Sequence, residues 1–245
     1  MPQQMLSFPK MTRRRNRADN TVRRLLAAIG VKLIAGCFIA ILWSWSVLLR
    51  KNTVQLNRLD RYVAEGHQVL AIFWHGKYLP LFPLAAGREV VVITVDSFRG
   101  RVIAAICRYF GYKPVLLSTN ANSHGFSALA QQVHDHAGLI ALALDGPLGP
   151  YHRIRTGALY LSAVHGAKLA PIGVASARKL VFGSRWDKQE APLPFSRVAV
   201  AVGDLIDLSA MTATQDPAQW EAIVRSAMIS VEREAQELLV PGAES

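Results

Sequence analysis

The chain has 245 residues, with 28 Lys and Arg against 17 Asp and Glu for a formal charge of +11, and 51% of its residues are hydrophobic. That length suits one domain of ordinary size plus an appendage and implies no second catalytic domain. The charge selects anionic partners, whether a lipid headgroup layer, an acidic carrier protein, phosphates or nucleic acid, and two cysteines without metal-type spacing argue against a zinc or disulfide framework.

Residues 1–24 are polar and basic, with Arg13, Arg14, Arg15, Arg17, Arg23 and Arg24. Such a segment has no reason to fold until something anionic holds it. From Leu33 to Leu49 the chain is uncharged and apolar, then meets Arg50 and Lys51. This run is near the lower limit for a bilayer-spanning helix, roughly 17–25 residues. It starts late and lacks a small-residue cleavage site, unlike a signal peptide. Positive charge at both ends gives no clean orientation, so a single span and a re-entrant or interfacial anchor fit equally, with Trp43 and Trp45 suited to headgroup level. A long buried core helix is the alternative. The expected division is a basic tail and membrane anchor over 1–51 and a catalytic domain over 52–245.

After a helix over Gln55–Gly66, short apolar runs alternate with helical stretches. Strands are expected at Val69–Trp74, Val90–Val95, Pro114–Leu117, Leu139–Leu144, Lys168–Val174 and Val198–Val202, each short and rich in Val, Ile or Leu. Helices are expected at Arg99–Phe110, Phe126–His136 and Gly157–His165. The alternation indicates an α/β domain whose largely parallel sheet is flanked by helices. A last helix is signalled by Asp216 as N-cap, Pro217 at the first position and an apolar stripe from Trp220 to Leu238.

His75 follows the first expected strand and precedes Gly76, at the carboxyl end where α/β sheets present groups to ligands. An imidazole there can take a proton from a hydroxyl at neutral pH, although a lone His is equally a packing residue. The fourth strand runs into Asp145, Gly146, Pro147, Leu148, Gly149, Pro150, Tyr151, His152, Arg153, Ile154 and Arg155, a turn-rich loop with two arginines before a helix. This loop suits a phosphate or carboxylate near the His75 edge, or is a rigid turn with solvated arginines. Asp96 and Asp145 are the carboxylates expected on that edge, and either could fix the tautomer of His75, Asp145 being the first choice. Lys77, Arg99, Arg101, Arg153 and Arg155 are the candidate anion binders, with the last two leading. His134 and His136 lie two apart on an expected helix and do not face each other, so no metal site is expected. No nucleophile elbow or glycine-rich nucleotide loop is present.

The segments WHGKYLPL, SHGFSAL, ALDGPLGPYHRIRTGALYLSAVHGAKLAPIGVA and LPFSRVAVAVGDLI, in this order and spacing, resemble the DUF374 branch of the lysophospholipid acyltransferase superfamily over roughly residues 55–210. The resemblance implies a fold like that of glycerol-3-phosphate acyltransferase and attachment to the cytoplasmic face of a bacterial inner membrane. The reaction it implies is transfer from acyl-CoA or acyl carrier protein to a hydroxyl of a lysophospholipid-like lipid. It matches His75 to the catalytic histidine, Asp145, Gly146 and Pro147 to the motif after the third family strand, and Pro171 to a later proline block. It implies no cofactor beyond the acyl donor, and no nucleic-acid partner is expected because the basic tail lacks a recognition motif and interleaved aromatic residues. The sequence departs from the family where an acidic residue five positions after the histidine is replaced by Pro80, and where Leu148 stands for an arginine. An arginine of the second family block is also missing near Ser118, Thr119 and Asn120, and Arg155 stands where a lysine is usual. These departures leave a catalytically reduced lipid-binding or scaffold protein of the same fold as the alternative.

Overall fold

A computed structural model describes residues 12–117, 130–131, 138–146, 149–210 and 216–240, with side chains described from residue 25 onward except at 95 and 117. The expected helix over Phe126–His136 lies almost wholly outside the described residues, as do Pro147, Leu148 and the segment around Ser118.

The long helix α1 covers Thr12–Val47 and is followed by strand β1, Arg50–Asn52. A short 3-10 turn at Val54–Leu56 leads into α2, Asn57–Ala64. Then come β2 Val69–Phe73, α3 Tyr78–Leu84, β3 Val90–Val95, α4 Phe98–Tyr109 and β4 Lys113–Leu117. The second half holds β5 Leu139–Ala143, α5 Thr156–His165, β6 Lys168–Ser176, a hairpin of β7 Lys179–Val181 and β8 Glu190–Pro192, β9 Arg197–Val202 and α6 Pro217–Glu237.

Seven strands form one sheet in the order β1-β9-β6-β2-β5-β3-β4. The five from β6 to β4 are mutually parallel, β9 runs antiparallel to β6, and β1 is parallel to β9. All six expected strands are present, with ends shifted by no more than two residues. Side chains alternate across a strand, so β2 feeds two cores. Val69 and Ala71 pack with α1, α2, α3 and α4, whereas Leu70, Ile72 and Trp74 pack with α5 and α6.

The sequence pattern did not announce α3, because Pro80 and Pro83 interrupt YLPLFPL. Asp216 caps α6 as expected, its side chain accepting from the Ala218 N–H at 3.1 Å. Val224, Met228, Val231 and Ala235 of α6 are buried on the sheet.

Over Leu25–Val47, 23 residues, α1 is long and apolar enough to cross a membrane by length and composition. At 1.5 Å per residue this stretch is roughly 34 Å long, against a hydrocarbon core of about 30 Å. Yet one side of it is occupied. Val31, Ala35, Ile39, Leu42 and Ser46 recur every three or four residues and turn toward α3 and α4. The opposite side leaves Leu33, Ile34, Phe38, Ile41 and Val47 exposed. Arg50 and Lys51, which the sequence pattern grouped with the anchor, instead form β1 and pair with Arg197 and Val198 at the sheet edge.

Candidate active site

Strand register brings the first two site residues together. Phe73 of β2 pairs with Ala143 of β5, so His75 and Asp145, each two residues further on, leave the sheet side by side. The His75 backbone N–H donates to Asp145 Oδ1 at 2.8 Å, and the His152 N–H reaches Asp145 Oδ2 at 3.4 Å. Asp145 is fully buried, and that burial pushes its carboxyl up, against the backbone N–H bonds that pull it down. Its carboxylate therefore braces two backbone segments, which corrects the expectation that it orients the His75 ring.

The ring is held from elsewhere. His75 Nδ1 lies 2.8 Å from Oδ2 of Asp187, a fully buried carboxylate in the loop between β7 and β8. Arg185 grips the same carboxylate with two donors, Nε to Oδ1 and an Nη to Oδ2, both at 2.8 Å. Burial alone would raise the Asp187 carboxyl, but the bonds from Arg185 and His75 outweigh it and bring it to about 2. An ionised Asp187 favours the tautomer with the proton on Nδ1 and leaves the Nε2 lone pair free to act as a base. Pro80, five residues after His75, is buried in α3.

The Asp187 loop is seated on the site by several contacts. Gln189 Nε2 donates to the Gly76 carbonyl at 2.8 Å, and Lys77 Nζ pairs with Glu190 Oε1 at 2.8 Å. Gly76 has to be glycine for this docking, because a Cβ there would lie 2.2 Å from the Asp187 carbonyl oxygen. The His-Gly pair of the sequence is thus one half of a joint whose other half lies past residue 180. Trp186 sits beside the His75 ring, with centroids 5.1 Å apart, and covers Gly149, where a Cβ would come within 2.5 Å of the indole. Tyr78 adds an edge-on contact to the same imidazole at 5.0 Å.

The expected anion binders separate into two groups. Lys77 is mostly buried between Glu190 and Glu232, so it serves as an internal ion-pair partner rather than a free phosphate ligand. Arg101 is exposed and bound to Asp96 Oδ1 at 2.7 Å, which occupies both of them. Arg155 turns back on its own loop and donates to the Gly149 carbonyl. Arg99 and Arg153 are exposed, and no hydrogen bond or ion pair of either side chain is found among the described residues. Gly146 takes a left-handed φ of 64° in the turn after β5.

His152 is stacked between Trp74 and Tyr151, with centroids at 4.3 and 3.9 Å. Burial, reinforced by Lys77, brings its imidazole down to about 4, so it is neutral at neutral pH. Arg225 of α6 donates to its carbonyl at 3.2 Å, tying the loop to the last helix. Among the described residues no cluster of His, Cys, Asp or Glu could hold a metal ion.

Sequence reasoning missed Asp187 and Arg185. Nothing local marked them: Asp96 and Asp145 were the carboxylates at expected strand ends, whereas Arg185-Trp186-Asp187 follows no strand or helix pattern. No family model matches the chain. It is similar to an uncharacterized protein of Rickettsia prowazekii (strain Madrid E), with 29% identity over 157 residues, 63% of this chain and 71% of that one.

Proposed function

We propose that the protein is a membrane-associated acyltransferase that moves a fatty acyl chain from an acyl thioester to a hydroxyl of a lysophospholipid-like lipid. The observation that carries this reading is the pair of His75 and a buried, ionised Asp187 at the carboxyl end of a parallel strand. It is supported by the resemblance of the segments around His75 and Asp145 to the DUF374 branch of the lysophospholipid acyltransferases. The apolar face of α1 adds a reason to look for a lipid substrate. On this reading the sheet belongs to a fold like that of glycerol-3-phosphate acyltransferase, and the protein works at the cytoplasmic face of a bacterial inner membrane.

In the proposed reaction His75 Nε2 takes the proton of the acceptor hydroxyl as its oxygen bonds to the thioester carbonyl carbon. The tetrahedral intermediate collapses with cleavage of the carbon–sulfur bond. The departing thiolate of coenzyme A or acyl carrier protein then takes the proton from the imidazolium, which Asp187 stabilises meanwhile. The step needs no covalent acyl-enzyme and no metal. Exposed Arg99 and Arg153 are the cations left to meet an anionic acceptor or the phosphates of the donor.

The test is mass-spectrometric detection of acyl transfer by purified full-length protein in detergent, offered acyl-CoA or acyl carrier protein with lysophospholipid acceptors. Formation of a diacylated product by wild type and its loss in His75→Ala is the expected result. Equal product in both would remove His75 from the chemistry. A wild-type protein that binds these lipids and yields no product with either donor would replace the reading with the lipid-binding alternative.

A further inference from the structure

The hairpin that delivers Asp187 also carries an apolar surface. Leu180 and Val181 of β7 and the following Phe182 are 55%, 51% and 46% exposed, the successive Leu180 and Val181 pointing to opposite faces of the hairpin, so that the element is apolar on both. Phe195, between β8 and β9, is 62% exposed. Single surface apolar residues need no explanation, but several on one hairpin and its exit do.

This region is joined to the carboxyl-terminal end of α1. The Phe195 N–H donates to the Leu48 carbonyl at 2.9 Å, and the indole N–H of Trp45 donates to the Pro192 carbonyl at 2.7 Å. Trp43, Val47 and Leu48 are exposed at that same end of the helix. Beside them lie four exposed cations. Arg50 and Arg197 are register partners on neighbouring strands, Lys51 follows Arg50, and Arg178 is bonded through its N–H to Ser196 Oγ at 2.9 Å and through its guanidinium to the Pro194 carbonyl. An apolar strip bordered by Lys and Arg is complementary to a leaflet with anionic headgroups over acyl chains. Because α1 is packed on the domain from residue 31 to 46, its free side over that stretch faces outward along its length.

We infer that β7, Phe182 and Phe195 form a second membrane-contact surface, continuous with the outer face of α1, that seats the protein in the plane of an anionic leaflet. This rests on the membrane-associated reading above. The same hairpin holds Asp187 between its strands, so the element that meets the lipid surface is the one that completes the His75 pair. A lipid acceptor would then reach the imidazole from the leaflet beside it.

The experiment uses full-length protein with Cys37→Ser and a polarity-sensitive fluorophore on Phe182→Cys. Cys107 is buried, and burial pushes its thiol up to about 12, so it does not compete for label. A control label goes on Ser226→Cys, exposed on α6 on the other side of the sheet. Protein is mixed with phosphatidylcholine–phosphatidylglycerol vesicles bearing a nitroxide high on the acyl chain, and flotation is measured in parallel. The expected result is flotation of both proteins, with a blue shift and loss of most emission at 182 but little change at 226. Flotation with an unquenched 182 probe would overturn the hairpin contact and leave the helix as the membrane element. Failure of both proteins to float would overturn the membrane reading itself. Self-quenching at 182 in the absence of lipid would assign the patch to a second copy of the chain and overturn the inference.

Discussion

His75 Nδ1 and Asp187 Oδ2 meet at 2.8 Å across 112 residues of chain, and Arg185 grips both oxygens of the same carboxylate. A carboxylate so placed fixes the imidazole and stabilises its protonated form. His75→Ala is expected to lower turnover by roughly 10²–10⁴-fold, as loss of a general base does. Asp187→Asn should cause a fall of similar order in kcat, because the amide occupies the space without the charge, about 10⁴-fold in the best-studied triad. Steady-state kinetics with a lysophospholipid acceptor checks this, and a folded Asp187→Asn protein with wild-type kcat would discard the pair.

Asp145 predicts a different signature. Its buried carboxylate satisfies the N–H of His75 and contacts that of His152. Asp145→Ala leaves these donors unpaired and should destabilise the protein by about 1–3 kcal/mol. Urea unfolding of the detergent-solubilised protein measures it. If Asp145→Ala proved as stable as wild type while lacking all turnover, the carboxylate would belong to the chemistry instead.

His152 supplies a pH dependence with a definite sign. Its folded-state value of about 4 lies below the ordinary 6.5 because it is buried beside Lys77. Between these values the unfolded chain binds a proton that the folded chain refuses, so stability rises with pH across the window and is lost as pH falls through it. Burial pushes the carboxyls of Asp145 and Glu232 up, which acts in the opposite direction, so the comparison of two proteins is the useful quantity. His152→Phe keeps an aromatic ring between Trp74 and Tyr151 and should lose less thermal stability than wild type from pH 6.5 to 4.5. Parallel melting-temperature profiles would contradict the assignment.

The two arginines of the loop should behave differently. The Arg153 side chain is exposed without a hydrogen bond or ion pair among the described residues, whereas that of Arg155 donates to the Gly149 carbonyl. Arg153→Ala is expected to raise KM for an anionic acceptor more than it lowers kcat, the pattern of a lost ground-state contact. Arg155→Ala should affect neutral and anionic acceptors alike, since it loosens the turn. Identical acceptor dependence in both variants would remove Arg153 from substrate binding.

Removal of the first 51 residues tests the double character of α1. Ala35, Leu42 and Leu49 belong to the core that includes Val102 and Ile106 of α4 and the following Phe110, and Arg50 and Lys51 pair with β9. A protein beginning at Asn52 should therefore melt lower and aggregate, as circular dichroism and size-exclusion chromatography would register. In full-length protein, high salt alone should fail to release it from membranes while detergent succeeds, because screening weakens ionic attraction but not apolar burial. Recovery without detergent would limit α1 to a packing role.

How much of this was legible in the amino-acid sequence varies by element. The six strands were readable because each is a short run rich in Val, Ile or Leu bounded by turn residues, and α6 because Asp216 and Pro217 mark its start. The position of His75 followed from the end of β2, and its neighbour Asp145 from the equivalent end of β5. These are local signals: periodicity, caps and strand ends act within a few residues. Asp187 was hidden because its partner is 112 residues away and the hairpin that folds it over the sheet edge has no apolar period of its own. Lys77 read as a free cation for the same reason, since Glu190 and Glu232 reach it only in three dimensions. The two sides of α1 were likewise indistinguishable in sequence, where both are apolar. Only the packing of α3 and α4 against Ala35, Leu42 and Ser46 decides which side is core and which is left for something else to cover.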